Sequence, residues 1–348
     1  MSAAAVIEQR IVFTLADATH SLAAVALDCD QAIAGPRRLR RTAAGWMLAL
    51  PRPPLDRLEY KLVITTRDGH TSVDCDPENV ERVRTAFGER SVALMPGYRA
   101  PGWLKGIAAS GSRERLTHAD SSLGELPITL WSAPGLSKDV EAPLLVVHDG
   151  PEYADLADLT TYAEAMVSHG TLPAFRMALM HPSERDEWYS ANPDYIAATH
   201  DLLDGLARIY NVSANPVVMG ASLGGLTALL VGLEEASRFG GVVSQSGSFF
   251  QPGLDGQESS YPFFERVTSA VRAMVEASAR SRPVAVGMMC GAMEENFANN
   301  EAMAASLASQ GHDVRFRTLA DLHNYTAWRD GLDPTVTDLL RSVWCAQG

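Results

Sequence analysis

Apolar and polar positions follow two different rhythms along this chain, and the rhythm changes near residue 105. Before that point, "RIVFTL", "SLAAVAL", "GWMLAL" and "LEYKLVITT" are short apolar or alternating runs separated by clusters of Pro, Gly, Asp and Arg. A period of two marks strands with one buried face. No helical stretch of convincing length comes before "PENVERVRTAFG". Short strands and turns over about a hundred residues predict an antiparallel β-sandwich at 1–104.

A Pro/Gly-rich linker, "PGYRAPGWLKG", leads into the second rhythm. "ITLWSA", "APLLVVHDG", "FRMALM", "NPVVMG", "GGVVSQSG" and "RPVAVGMMCG" are compact apolar runs of strand length. Several alternate with helical patterns such as "DYIAATHDLLDGLARIY" and "NNEAMAASLASQG". The alternation predicts an α/β domain at 105–348, with a mostly parallel sheet, helices on both faces and ligand sites at the carboxyl ends of the strands.

Composition narrows the setting. A chain of 348 residues is long enough for two domains, and 46% hydrophobic against 20% charged residues is an ordinary globular balance. Charge is uneven: 14 basic residues face 12 acidic ones up to residue 105, and 15 face 30 beyond it. With no basic run to track phosphates, nucleic acid is excluded as a partner. Cys29, Cys75, Cys290 and Cys345 show no paired spacing, which argues against a zinc site or disulfide framework. "MSAAAVIEQRIVF" has no leader pattern, and the uncharged Ile209–Leu233 stretch is broken by Asn, Pro and Gly. The expectation is therefore a cytoplasmic protein that does not engage a membrane.

Candidate chemistry begins at "NPVVMGASLGG", where Gly220-Ala221-Ser222-Leu223-Gly224 fits G-x-S-x-G. A strand before it and a helix after it predict a nucleophile elbow of the α/β-hydrolase kind, with Ser222 at its tip. Leu223 at the helix start offers an N–H to an oxyanion, and Gly150 in "HDGPEY" is the second donor, ahead of Glu152. In this fold the acid and then the histidine follow the serine. His323, in "LADLHNYTAWRD", follows the last strand and is the expected base, whereas His312 is read as a solvated loop residue. Glu294 leads for the acid, with Glu295 and Asp321 left open. His148 and Asp149 lack a third ligand and are read as structural, and "DCDPEN" (Asp74, Asp76, Glu78, Asn79) as a solvated turn rather than a calcium loop. No metal or other cofactor is expected.

Six motifs in order then resemble a known group. "DGPEY", "SERDEWYSANPDY", "GASLGG", "SQSGSFF", "CGAMEEN" and "HNYTAWRD" make 105–348 similar to the enterochelin (ferric-enterobactin) esterase-like branch of the esterase D family. "EYKLVITTRDGHTSVDCDPEN" resembles the closing strands of the immunoglobulin-like domains that precede many hydrolases, as an N-terminal sandwich does in these esterases. The resemblance implies Ser222 as nucleophile, Glu294 as acid and His323 as base, with Arg185, Tyr153 and Trp328 shaping the substrate site. For Arg185 a surface salt bridge is the competing reading, and for Trp328 a core aromatic. Tyr153 stands where the family has Trp, and Leu322 where Gly precedes the histidine.

The expected function is a serine carboxylic-ester hydrolase with a small-molecule ester substrate, which the resemblance implies is a catecholate siderophore of the enterobactin type. Its anionic charge would require local cations such as Arg185 or Arg329 at the mouth of so acidic a half. An acyltransferase of the mycolyltransferase type and a non-catalytic binding or scaffold protein are the alternatives. The N-terminal module is read either as a cover for the site or as a dimerisation surface, so a homodimer is left open.

Overall fold

Alternate residues of the strand Arg10–Ala16 are buried and half-buried in turn, Ile11, Phe13 and Leu15 facing inward and Val12 and Thr14 outward. This is the period-two pattern of "RIVFTL", realised in a computed structural model that describes residues 4–7, 9–105, 110–278 and 282–345. The last residue of the linker stretch and parts of the N-terminal stretch read for a leader lie outside the described residues. The chain separates into two compact units.

The first unit contains residues 1–100 together with 292–294 and 320–326. Its strands are β1 (Ala4–Ile7), β2 (Arg10–Ala16), β3 (Leu22–Cys29), β4 (Arg40–Thr42), β5 (Gly45–Pro51), β6 (Arg57–Thr66), β7 (Thr71–Asp74), β8 (Arg82–Thr85) and β9 (Gly88–Leu94). One antiparallel sheet runs β1-β2-β5-β4, and the other runs β3-β6-β9-β8 with β7 paired to β6. Inward residues of both sheets, among them Phe13, Leu50, Leu58 and Tyr60, form one hydrophobic cluster. The rings of Phe13 and Tyr60 meet edge to face at 4.9 Å. Among the described residues of 1–100 there is no helix. "PENVERVRTAFG", the first stretch of helical length, is therefore not helical: it folds into the β8–β9 hairpin, turning at Gly88 with φ +95°.

The "DCDPEN" turn is not solvated throughout. Asp76 and Asn79 are buried, with the Tyr60 hydroxyl donating to Asp76 and the Asn79 amide donating to Tyr60 and to the Val92 carbonyl. No group of three metal-ligating side chains occurs among the described residues.

The second unit carries a mixed eight-stranded sheet. Its strands are β10 (Ser112–Asp120), β11 (Gly124–Ser132), β12 (Leu144–Val147), β13 (Arg176–Met180), β14 (Val217–Ala221), β15 (Gly241–Gln245), β16 (Ala285–Gly291) and β17 (Asp313–Leu319), in the order β10-β11-β13-β12-β14-β15-β16-β17. β10, β11 and β13 pair antiparallel, and all pairs from β13 to β17 are parallel. Every residue of β12, β14 and β15 is buried, as parallel strands covered on both faces must be.

The helices are α1 (Gly150–Leu156), α2 (Leu159–Ser168), α3 (Arg185–Tyr189), α4 (Pro193–Ile209), α5 (Leu223–Glu234), α6 (Phe264–Val275), α7 (Phe297–Ser309), α8 (Tyr325–Asp330) and α9 (Thr337–Trp344). α4 begins where Asn192 accepts from the N–H groups of Asp194 and Tyr195, with Pro193 in the first turn, where a missing N–H costs nothing. No helix among the described residues is long and apolar enough to cross a membrane.

Candidate active site

Ser222 sits at the junction of β14 and α5 with φ 56° and ψ −125°, a conformation that residues with a side chain rarely adopt. The turn is fixed from both sides: the Ser222 N–H donates to the Gln245 carbonyl, and the Ser222 carbonyl accepts from Ser248. A Cβ on Gly220 would lie 2.2 Å from the carbonyl oxygen of Gly224, so only glycine fits there. In the helix that follows, the Gly225 and Leu226 N–H groups donate to the Ser222 carbonyl, and the leading N–H groups of a helix, here Leu223, have no intrahelical acceptor. The hydroxyl of Ser248 lies 3.3 Å from that of Ser222.

Gly150 opens α1 and packs against β13 so closely that a Cβ would reach 2.4 Å from the Leu179 backbone. Asp149 before it adopts a left-handed conformation (φ 54°) and accepts two hydrogen bonds from the Arg185 guanidinium, at 2.8 and 2.7 Å. The Asp149 N–H donates to the Tyr189 hydroxyl. Arg185 also lies over the Tyr189 ring at 5.4 Å, and its side chain is 38% exposed. His148 is buried beside Tyr189 and Tyr195, with Nδ1 3.1 Å from the Tyr195 hydroxyl. Burial, helped by the charge of Arg185, pushes its pKa down to about 3, so the ring is neutral. Burial also raises the carboxyl of Glu152, and the nearby Asp149 adds to the effect.

Two residues expected to shape the substrate site are buried. Tyr153 is 0% exposed, and its hydroxyl donates to the Gln245 side chain. Trp328 is buried too, its indole N–H donating to the Ser246 hydroxyl while its carbonyl accepts from Gln245. Both polar handles bond inside the unit, so these aromatics brace the end of β15 and the loop after it. Gln245 links them and had no assigned role. A polar residue ending an otherwise apolar strand, in "GVVSQ", was its signal.

Glu294 and His323 belong to the first unit, whereas Ser222, Leu223, Gly150 and Arg185 belong to the second. His323 Nδ1 donates to Glu294 Oε2 at 2.7 Å, with the carboxylate side chain 1% and the imidazole 37% exposed. A carboxylate can only accept, which puts a proton on Nδ1. Glu295 is exposed. Asp321 is buried and engaged by Arg57. His312 is buried rather than solvated, its Nδ1 accepting from the Val284 N–H. Arg329 is paired with Asp330 at 2.8 Å and with Asp158 at 3.8 Å.

The family model described as "Putative esterase" matches residues 133–339. Over 280 residues the chain is 31% identical to the iron(III) enterobactin esterase of Dickeya dadantii, covering 74% of this chain and 62% of that protein. Over 216 residues it is 26% identical to the Escherichia coli K12 protein of the same name, covering 59% and 51%. The matches thus span half to three fifths of the length of these curated relatives. Among solved structures, the enterochelin esterase of Shigella flexneri superposes with a TM-score of 0.76 at 22% identity, over 98% of this chain and 95% of that one. The ferric enterobactin esterase of Salmonella typhimurium gives 0.79 at 23% identity, over 96% and 93%. At such identities the structural likeness speaks for the fold.

Proposed function

The chain belongs to the esterase family, and from that premise we propose that it is a serine carboxylic-ester hydrolase with Ser222 as nucleophile, His323 as base and Glu294 as acid. The observation that carries the reading is the backbone of Ser222, held at φ 56° by a turn that tolerates only glycine at position 220. Strain of this kind persists where exposure of a reactive hydroxyl requires it. The Glu294–His323 hydrogen bond supports the assignment, because it fixes the tautomer a general base needs.

In the proposed cycle, Nε2 of His323 takes the Ser222 proton as Oγ attacks the ester carbonyl carbon. The N–H groups of Leu223 and Gly150 hold the oxyanion, each donor contributing about 3 kcal/mol in such sites. His323 returns the proton to the departing alkoxide, and water then releases the acyl group by the same steps in reverse. Arg185 anchors the Asp149–Gly150 turn that presents one donor, which its bidentate bond to Asp149 supports.

The proposed substrate is an ester of a catecholate siderophore, as in the names of the relatives. Arg185 and Arg329 each have carboxylate partners, so a ferric, anionic form meets a less positive site than the two cations alone suggest. We assign the first unit as an immunoglobulin-like sandwich, on the strength of its two antiparallel sheets around one core. A fluorophosphonate probe should label wild type and not Ser222→Ala. Purified enzyme should release monomeric acyl-serine from enterobactin faster than it cleaves p-nitrophenyl butyrate. The reverse preference removes the siderophore assignment, and equal labelling of the variant removes the serine.

A further inference from the structure

Two short segments leave the parallel sheet and fold with the N-terminal strands. Residues 292–294 follow β16 and carry Glu294, and residues 320–326 follow β17 and carry His323. The attachment is specific. Leu322, directly before His323, is 6% exposed and belongs to the same cluster as Ile11, Phe13, Leu58 and Tyr60. Met293, directly before Glu294, packs against that cluster. The Asp56 N–H, at the entrance to β6, donates to the Ala320 carbonyl at 2.7 Å.

Asp321 ties these contacts to the imidazole. One carboxylate oxygen accepts from the Leu322 N–H at 2.8 Å and the Asn324 amide at 3.1 Å, which closes a turn around His323. The other is bonded to the guanidinium of Arg57, the first residue of β6. Both partners are buried, and Glu59 lies 3.7 Å from the same guanidinium. Burial raises the Asp321 and Glu59 carboxyls while Arg57 opposes the rise. A buried ion pair is weak evidence for stability, since apolar residues of similar volume often serve as well. What it supplies here is direction: it fixes the turn that carries His323 at one point of a strand.

We propose that the N-terminal β unit is a positioning element of the hydrolytic site, in which Arg57 sets the orientation of His323 through Asp321, with Leu322 as the apolar anchor. The inference rests on the reading of His323 as the base. It gives Leu322 a reason to stand where the family has glycine: the side chain is the plug that holds the loop in the β unit's core.

The test uses the full chain with Arg57→Met/Asp321→Leu, which removes both buried charges together, and Leu322→Ala, which leaves the ion pair whole. Two readouts are followed: kcat and KM for p-nitrophenyl butyrate, and the deshielded Nδ1 proton of His323 in NMR spectra, assigned by its loss in Glu294→Ala. We expect a KM within about two-fold of wild type for the double variant, and a lower thermal midpoint, because Glu59 loses its cation and the Leu322 N–H its acceptor. Its kcat should fall by about ten-fold or more, with a shifted or broadened Nδ1 signal. Leu322→Ala should show the same fall in kcat and the same change in the Nδ1 signal, with a lower thermal midpoint because a buried side chain is truncated. It decides the matter if the double variant does not fold. An unchanged signal in a folded variant overturns the proposal, whether or not kcat falls. A shifted signal with unchanged kcat leaves the positioning standing and removes His323 as the base.

Discussion

His148 offers a quantitative test of how the second unit is built. The ring is buried against Tyr189 and Tyr195, and its Nε2 has no hydrogen-bond partner among the described residues. Its pKa lies at about 3 when folded, chiefly from burial, against an ordinary value of 6.5. Between those values the unfolded chain binds a proton that the folded chain refuses. The neutral ring's contribution is therefore whole above pH 6.5 and is lost as pH falls toward 3. Over the full window of about 3.5 units this amounts to about 5 kcal/mol, and from pH 7 to pH 5 to about 2 kcal/mol. His148→Asn keeps a polar group near the Tyr195 hydroxyl and cannot titrate. Urea unfolding followed by tryptophan fluorescence at pH 7, 6 and 5 should show wild type losing about 2 kcal/mol more than the variant. Parallel pH curves for the two proteins would refute the reasoning, because His148 would then hold its proton in the folded state as readily as in the unfolded one.

Two further outcomes are expected. Glu294→Gln should lower kcat by about a hundred-fold or more, whereas Glu295→Gln, at an exposed position, should leave it within about two-fold; steady-state kinetics on p-nitrophenyl butyrate distinguishes them. Phe13→Ala removes a fully buried ring that meets Tyr60, and should cost the first unit about 3–5 kcal/mol in a urea titration.

Local pattern carried much of the fold. Ile11, Phe13 and Leu15 spell a half-buried strand, and "PLLVV" and "PVVM" spell strands covered on both faces. Where the pattern failed, pairing between distant residues had decided the outcome. β10 reads "SRERLTHAD", with few apolar residues, because it is an edge strand paired only to β11 and needs one half-buried face. Arg82–Thr85 has no helix-breaking residue, yet β9 supplies a partner and propensity yields to it. At the candidate site, residue types pointed to Ser222 and His323 and narrowed the acid to Glu294, Glu295 or Asp321, because the elbow and the chain order are written in the sequence. Which of two adjacent glutamates meets the imidazole depends on backbone dihedrals that residue types do not encode. The burial of Tyr153 and Trp328 was equally invisible, since an aromatic in a site motif reads the same whether it faces a ligand or the core.

The Arg57–Asp321 pair also constrains how the protein is made. The two residues are 264 positions apart. At bacterial and eukaryotic synthesis rates a ribosome needs roughly 13 to 53 s to travel that distance. During this interval the nascent β strands emerge with a hole where Leu322 will sit and a guanidinium that has no aspartate to meet. These β strands are thus made well before they are finished, with their final packing deferred until most of the parallel sheet has been synthesised. A chain cut short before residue 320 leaves the ribosome with that core still open.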